Sequence, residues 1–247
     1  GGAAMEHWET LKSGGLRFVW EDNLFRPGTD TFLLSSLPRL KPGLRVCDLG
    51  CGTGLLGLLL LQRQRDLTVT GVELRPEAAA LLEQAAAENS LTDRLTVRRG
   101  NLREIRSLLP AGGFDLAVCN PPYYPVGSGK LSPSPALQAA RAETACTMED
   151  VCGAAAWLLR WGGALCLVHK PERLADLLCT LRSAALEPKR MRAVCRRAEE
   201  PPSLVLLEAR RGGKPGLAWE PPMILETAEG RPTEELDRIY FRQEDLP

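Results

Sequence analysis

The chain is poor in metal-ligating pairs, in long apolar runs and in net charge. It has two histidines, and its eight cysteines (Cys47, Cys51, Cys119, Cys146, Cys152, Cys166, Cys179 and Cys195) include no Cys-x-x-Cys pair. Zinc sites are built from closely spaced cysteines and histidines, so no metal is expected. The cysteines lie in apolar or helical stretches, where a thiol packs as a small hydrophobe, and they are expected to stay free of disulfides. No run approaches the roughly 20 apolar residues that a membrane-spanning helix requires. The amino terminus also lacks the charged start and apolar run of a secretory signal. These absences set the expectation of a cytoplasmic protein without a membrane partner. The 31 basic and 31 acidic side chains leave a formal net charge of +0, so no overall field attracts a polyanion and any nucleic-acid contact must come from local patches. Internal repeats and low-complexity segments are absent as well.

What is present is an alternation of short apolar segments and helical patterns. With 247 residues and 44% hydrophobic content, the chain can bury one large core. Residues 45–49, 68–73, 95–98, 114–119, 163–169, 191–196 and 204–209 read as strands, being β-branched or apolar and bounded by turn residues. Between them, 55–63, 76–88, 148–159 and 172–185 read as helices; the second opens on Pro76 and Glu77, a favoured helix start. Such alternation implies an α/β fold: a seven-stranded, mostly parallel sheet with helices on both faces and ligands bound at the carboxyl ends of the strands. The last two strands are too close in sequence for a helical crossover, so they are expected to form a C-terminal antiparallel hairpin. Residues 41–247 form the main domain in this scheme, and 1–40 an N-terminal appendage, of which Gly1, Gly2, Ala3 and Ala4, ahead of Met5, read as an expression remnant.

Two motifs carry chemistry. The first is the glycine loop Asp48-Leu49-Gly50-Cys51-Gly52-Thr53-Gly54, followed by Glu73 at the end of the next strand. Glycines remove side chains where a ligand must touch backbone, and a carboxylate at that strand end can accept the hydrogens of two ribose hydroxyls. By pattern alone this loop fits both a dinucleotide and another nucleoside cofactor. The second motif, Asn120-Pro121-Pro122-Tyr123, follows the strand 114–119. An Asn side-chain oxygen and the carbonyl of the next residue can both accept from one amino group, prolines stiffen the turn, and an aromatic ring can stack on a planar substrate. That set suits methyl transfer to a planar nitrogen and has no evident use in hydride transfer.

Together, Asp48 to Gly54, Glu73 and Asn120 to Tyr123 resemble the class I S-adenosylmethionine-dependent methyltransferases, which have a Rossmann-like fold and modify exocyclic or amide nitrogens. Phe25 to Asp30, Ala140 to Glu143, His169 to Leu174, and the tail through Glu229-Gly230, Thr233 to Glu235 and Ile239-Tyr240 extend the resemblance to the bacterial tRNA(Val) adenine N6-methyltransferase family, over nearly the whole chain from about Phe18. The resemblance implies S-adenosylmethionine as cofactor, tRNA as substrate and an N6-methyladenine product. It further implies that Thr29 and Asp30 close over the methionine moiety, that Asp48, Gly50, Cys51, Gly52 and Gly54 cradle the cofactor, and that Glu73 holds its ribose, with Leu74 also in the cofactor site. Asn101 would contact the adenine amino group, with Leu102 also in the cofactor site. Asn101 stands where the family usually has aspartate, so its contact lacks charge assistance. Asn120, Pro121, Pro122 and Tyr123 form the catalytic turn, with Asn120 also lining the cofactor site.

Tyr123 and Tyr124, with Lys130 from the Gly-, Ser- and Pro-rich loop 125–135 and Arg141 beyond it, are the expected substrate contacts. Clusters of arginine and lysine at 98–106, 189–197 and 210–214 are candidates for phosphate contacts or, equally, solvated faces. A monomer or weak dimer is expected. The competing possibilities are a methyltransferase acting on protein glutamine or rRNA guanine through the same turn, a binding module that has kept only the cofactor site, and a nicotinamide-dependent dehydrogenase.

Overall fold

The computed structural model describes residues 5–22, 28–121 and 146–242. A hairpin, β1 (Glu6–Thr10) and β2 (Arg17–Glu21), precedes α1 (Thr29–Ser35). The chain then alternates: β3 (Leu44–Leu49), α2 (Leu55–Arg63), β4 (Leu67–Glu73), α3 (Pro76–Glu88), β5 (Leu95–Arg99), α4 (Ile105–Leu108) and β6 (Phe114–Cys119). After these come α5 (Met148–Leu158), β7 (Leu159–His169), α6 (Leu174–Ser183), β8 (Leu186–Cys195), β9 (Leu204–Arg211), the short β10 (Ala218–Trp219) and β11 (Met223–Ile224), and α7 (Glu234–Ile239).

The main sheet has the order β10-β8-β9-β7-β6-β3-β4-β5, with β11 also paired to β8. From β7 to β5 every neighbouring pair is parallel. Strand β9 is antiparallel to both of its neighbours, β7 and β8, so the expected hairpin is present, with its second strand wedged inside the sheet. All seven strands read from the sequence are found. The two-residue β10 and β11 lengthen the sheet to nine strands, and β1–β2 forms a separate two-stranded sheet. Two residues are too few for an alternating pattern to register in the sequence.

Strand alternation divides the interior into two cores, because successive side chains point to opposite faces. Val46, Leu116, Val118 and Leu206 join one core, shared with Leu33 and Leu34 of α1, Leu58 to Leu61 of α2, and Leu82 of α3. Cys47, Leu49, Ala117, Cys119, Val205 and Leu207 join the other, beneath Ile105 of α4, Val151 and Leu158 of α5, and Leu177 and Leu181 of α6. Helix α5 starts with a reciprocal cap: Asp150 N–H donates to Thr147 Oγ1 at 3.1 Å, and Thr147 N–H donates to Asp150 Oδ2 at 3.0 Å. Each such fully buried leucine contributes about 1.5–3 kcal/mol, so the two layers supply most of the stabilisation.

The C-terminal segment returns to the first core and locks α1. Tyr240 stacks on Phe32 with ring centroids 4.3 Å apart and an interplanar angle of 9°. Arg63, at the end of α2, donates to Ser35 Oγ and to the Ile239 carbonyl, each at 2.9 Å, with its guanidinium 4.7 Å from the Phe241 ring centre. Burial lowers the Arg63 pKa to about 10. Arg190 on β8 is buried and donates to Glu208, Glu220 and the Leu37 carbonyl, tying the end of α1 to the antiparallel strands.

Candidate active site

The carboxyl ends of β3, β4, β5 and β6 converge on the glycine loop. Gly50 and Cys51 donate their N–H groups to the Val72 carbonyl at 2.9 and 3.1 Å, which pins the loop to the end of β4. Gly50, Gly52 and Gly54 have φ of 72°, 55° and 96°, a left-handed backbone that any side chain would strain. Gly54 is the N-cap residue of α2, so the loop leads into a helix start whose first N–H groups have no partner within the helix. Below the loop, Gly71 on β4 makes a close approach: a Cβ there would lie 2.4 Å from Cys51 Sγ.

Glu73 ends β4 and is 6% exposed. Its Oε1 accepts from Gly52 N–H at 2.9 Å and its Oε2 from Arg75 N–H at 3.1 Å. Each carboxylate oxygen keeps a lone pair for a further donor. Asp48 sits deeper, 2% exposed, and its Oδ2 has no hydrogen-bond partner among the described residues. Burial, together with the neighbouring Glu73 carboxylate, pushes the Asp48 pKa up to about 8. Leu74 is exposed beside Glu73.

The end of β5 comes alongside through the Gly100 N–H, which donates to the Glu73 carbonyl at 3.0 Å. Asn101 follows, and its Oδ1 accepts from Arg103 N–H at 3.0 Å, capping the turn Leu102–Glu104. One lone pair of that oxygen is therefore engaged within the chain. Leu102 is buried.

Strand register brings in the second motif. Asp48 on β3 pairs with Val118 on β6. Asn120 directly follows β6 as Gly50 directly follows β3, so the parallel strands carry both to the same end of the sheet. Cys119 is fixed by its Sγ contact, 3.2 Å from the Leu49 carbonyl. Asn120 Nδ2 donates to Thr31 Oγ1 on α1 at 2.9 Å. Thr29 is exposed at the start of α1 and Asp30 is half-buried. Burial pushes the Asp30 carboxyl up, offset by a hydrogen bond with its own backbone N–H and by the charge of Lys170 beyond β7.

Asp48, Gly50, Cys51, Gly52, Gly54, Glu73, Leu74, Asn101, Leu102 and Asn120 thus share one end of the sheet, with α1 beside it. Pro121 is half-buried next to Asn120. Pro122, Tyr123, Tyr124, Lys130, Arg141 and the loop 125–135 lie outside the described residues. Thr31 is the contact that sequence reasoning missed: a threonine in a first helical turn carries no signal for a partner 89 positions away.

Most of the arginine clusters are engaged internally. Arg190 is buried, Arg192 pairs with Glu235, Arg196 with Glu200 and Glu226, and Arg197 with Glu226. Arg103 pairs with Asp150, and Arg106 lies over the Trp157 ring. Among the described residues no group of three or more His, Cys, Asp or Glu side chains could hold a metal ion, and no helix is long and apolar enough to cross a membrane.

A glycine turn feeding a helix, with a buried carboxylate at the end of the next parallel strand, defines an α/β enzyme of the nucleoside-cofactor class. The methyltransferase small domain family matches residues 18–178, and the chain belongs to that family. It is 31% identical over 215 residues to the tRNA1(Val) (adenine(37)-N6)-methyltransferase of Dickeya chrysanthemi (strain Ech1591), covering 85% of this chain and 84% of that relative. The protein of the same name from Tolumonas auensis is 30% identical over 220 residues, covering 87% of this chain and 90% of that one. Among solved structures, one described as a predicted O-methyltransferase from Agrobacterium tumefaciens is similar with a TM-score of 0.72 and 22% identity, over 87% of this chain and 97% of that chain. At that identity the likeness is one of fold.

Proposed function

We propose that the chain transfers a methyl group from S-adenosylmethionine to the exocyclic N6 amine of an adenine in tRNA, in the cytoplasm. The observation that carries this is the parallel register of β3 and β6, which brings Asn120 to the same end of the sheet as the glycine loop and Glu73. The similarity to tRNA adenine-N6 methyltransferases, over 85% and 87% of this chain, supports the substrate.

The residues present fit the cofactor. Glu73 keeps lone pairs for two ribose hydroxyls, the positive-φ glycines leave the loop without side chains against the ligand, and Asp48 Oδ2 is buried with no partner among the described residues, a polar atom left for the ligand. Asn101 meets the adenine end, Leu74 and Leu102 also line the cofactor site, and Thr29 and Asp30 close over the methionine end. When bound, the cofactor supplies an electrophilic methyl group on a sulfonium.

The chain's own work is positioning. The lone pair of an adenine amine is delocalised into the ring, so the nitrogen becomes nucleophilic only when its two hydrogens are held by acceptors that favour a pyramidal geometry. The Asn120 Oδ1 and the Pro121 carbonyl supply those acceptors, and Pro122 holds the turn. Tyr123 stacks on the extruded base, a contact worth about 1–3 kcal/mol, against an extrusion cost of a few kcal/mol that is smaller in a loop. Tyr124 and Lys130 are assigned to substrate binding, and Arg141 to pairing with a phosphate. Holding the amine in line can contribute roughly 7–11 kcal/mol, so no strong general base is required.

The test is incubation with labelled S-adenosylmethionine and unmodified bulk tRNA, digestion to nucleosides and mass spectrometry, with Asn120→Ala in parallel. N6-methyladenosine that vanishes in the variant, while cofactor binding persists, is the expected result. An unlabelled RNA pool overturns the tRNA substrate and moves protein glutamine and rRNA guanine forward.

A further inference from the structure

We infer that Thr31 is a positioning residue that holds the Asn120 carboxamide with its Oδ1 toward the substrate amine; this rests on the function proposed above. A carboxamide is nearly symmetric in shape but opposite in chemistry at its two ends, one accepting and the other donating. An amine awaiting methylation presents N–H donors, so only the orientation with Oδ1 toward it is productive. The reversed orientation sets donor against donor.

Thr31 Oγ1 accepts from Asn120 Nδ2 at 2.9 Å, which gives the NH2 end a fixed partner and leaves Oδ1 for the amine. The backbone under Asn120 is held as well, because Cys119 Sγ lies 3.2 Å from the Leu49 carbonyl. The remaining freedom is the side-chain rotor, and that is what Thr31 restrains.

The hydroxyl has a firm base. Next to it on α1, Phe32 stacks on Tyr240 with centroids 4.3 Å apart, and Leu33 and Leu34 are fully buried. Ser35 at the end of α1 accepts from Arg63 Nη2 at 2.9 Å and Nε at 3.2 Å. Helix α1 therefore couples the C-terminal segment to the catalytic turn through one side-chain hydrogen bond.

The test compares Thr31→Val, which keeps the shape and removes the acceptor, with Thr31→Ser, which restores it. Thr31→Val should lower kcat about tenfold, the scale of one lost hydrogen bond, with KM for RNA changed much less. Thr31→Ser should return kcat to near the wild-type value. A readout independent of turnover is the Asn120 side-chain amide pair in the NMR spectrum of the free protein, assigned by its loss in Asn120→Asp. It should shift in the Val variant and hold near its native position in the Ser variant. A wild-type kcat in Thr31→Val, an equal loss in Thr31→Ser, or an unmoved amide pair overturns the assignment. The nucleoside made by the wild type reports separately on the proposed function: a methylated guanine would overturn the adenine substrate and leave the Val and Ser comparison to be read on that amine.

Discussion

Asp48 makes the stability of the free protein depend on pH in a direction opposite to that of an ordinary carboxylate. Burial and the Glu73 carboxylate raise its pKa from 3.8 to about 8, and its Oδ2 lacks a partner among the described residues. Between those two values the native chain holds a proton that the unfolded chain has released. Stability therefore falls as pH rises, by about 1.4 kcal/mol for each pH unit. The contribution is fully present below pH 3.8 and is lost by about pH 8. Over the whole window the loss is roughly 6 kcal/mol, a large part of the 5–15 kcal/mol typical of a folded domain. Asp48→Asn removes the titration at nearly constant shape. Urea unfolding of the cofactor-free protein and of this variant, run side by side from pH 5 to 8, isolates the effect, because the two chains differ in this one titrating group. The wild type should lose stability relative to Asp48→Asn steadily as the pH is raised. A difference that stays flat across that range would refute the reasoning.

Three further outcomes are expected. Glu73→Gln sets an NH2 group against one of the two backbone donors that the carboxylate now serves, and should weaken S-adenosylmethionine binding about 10- to 100-fold by titration calorimetry. Gly71→Ala places a Cβ 2.4 Å from Cys51 Sγ and should cost about 1–3 kcal/mol in urea unfolding, with weaker cofactor binding because the loop must shift. Arg63→Ala loses the bonds to Ser35 and Ile239 and the stacking on Phe241, and should cost about 2–3 kcal/mol; Arg63→Lys, lacking the planar fork, should recover only part of it.

The glycine loop, Glu73 and Asn120 were legible in the sequence because each depends on a local pattern: an apolar strand, a turn that tolerates positive φ, and a helix start. Strands β3 to β9 were legible for the same reason, being long enough to show their apolar character. Strands β10 and β11 were not, since two residues beside Pro221 and Pro222 leave no periodic trace. Arg190 read as a candidate for phosphate contact, and the fold buries it against Glu208 and Glu220. Nothing local distinguishes it from the exposed arginines of the same run, because its partners come from β9 and from the chain after β10.

The sequence by itself determined the order of strands and helices, the place of the glycine turn and the side-chain chemistry at the strand ends, because these follow from residues adjacent in the chain. Only the tertiary structure decided that β9 enters the sheet between β7 and β8, that Asp48 carries its proton into the neutral range and that Thr31 meets Asn120. Each of those depends on burial or on contact between segments far apart in sequence, and such free energies exist only once the chain has packed.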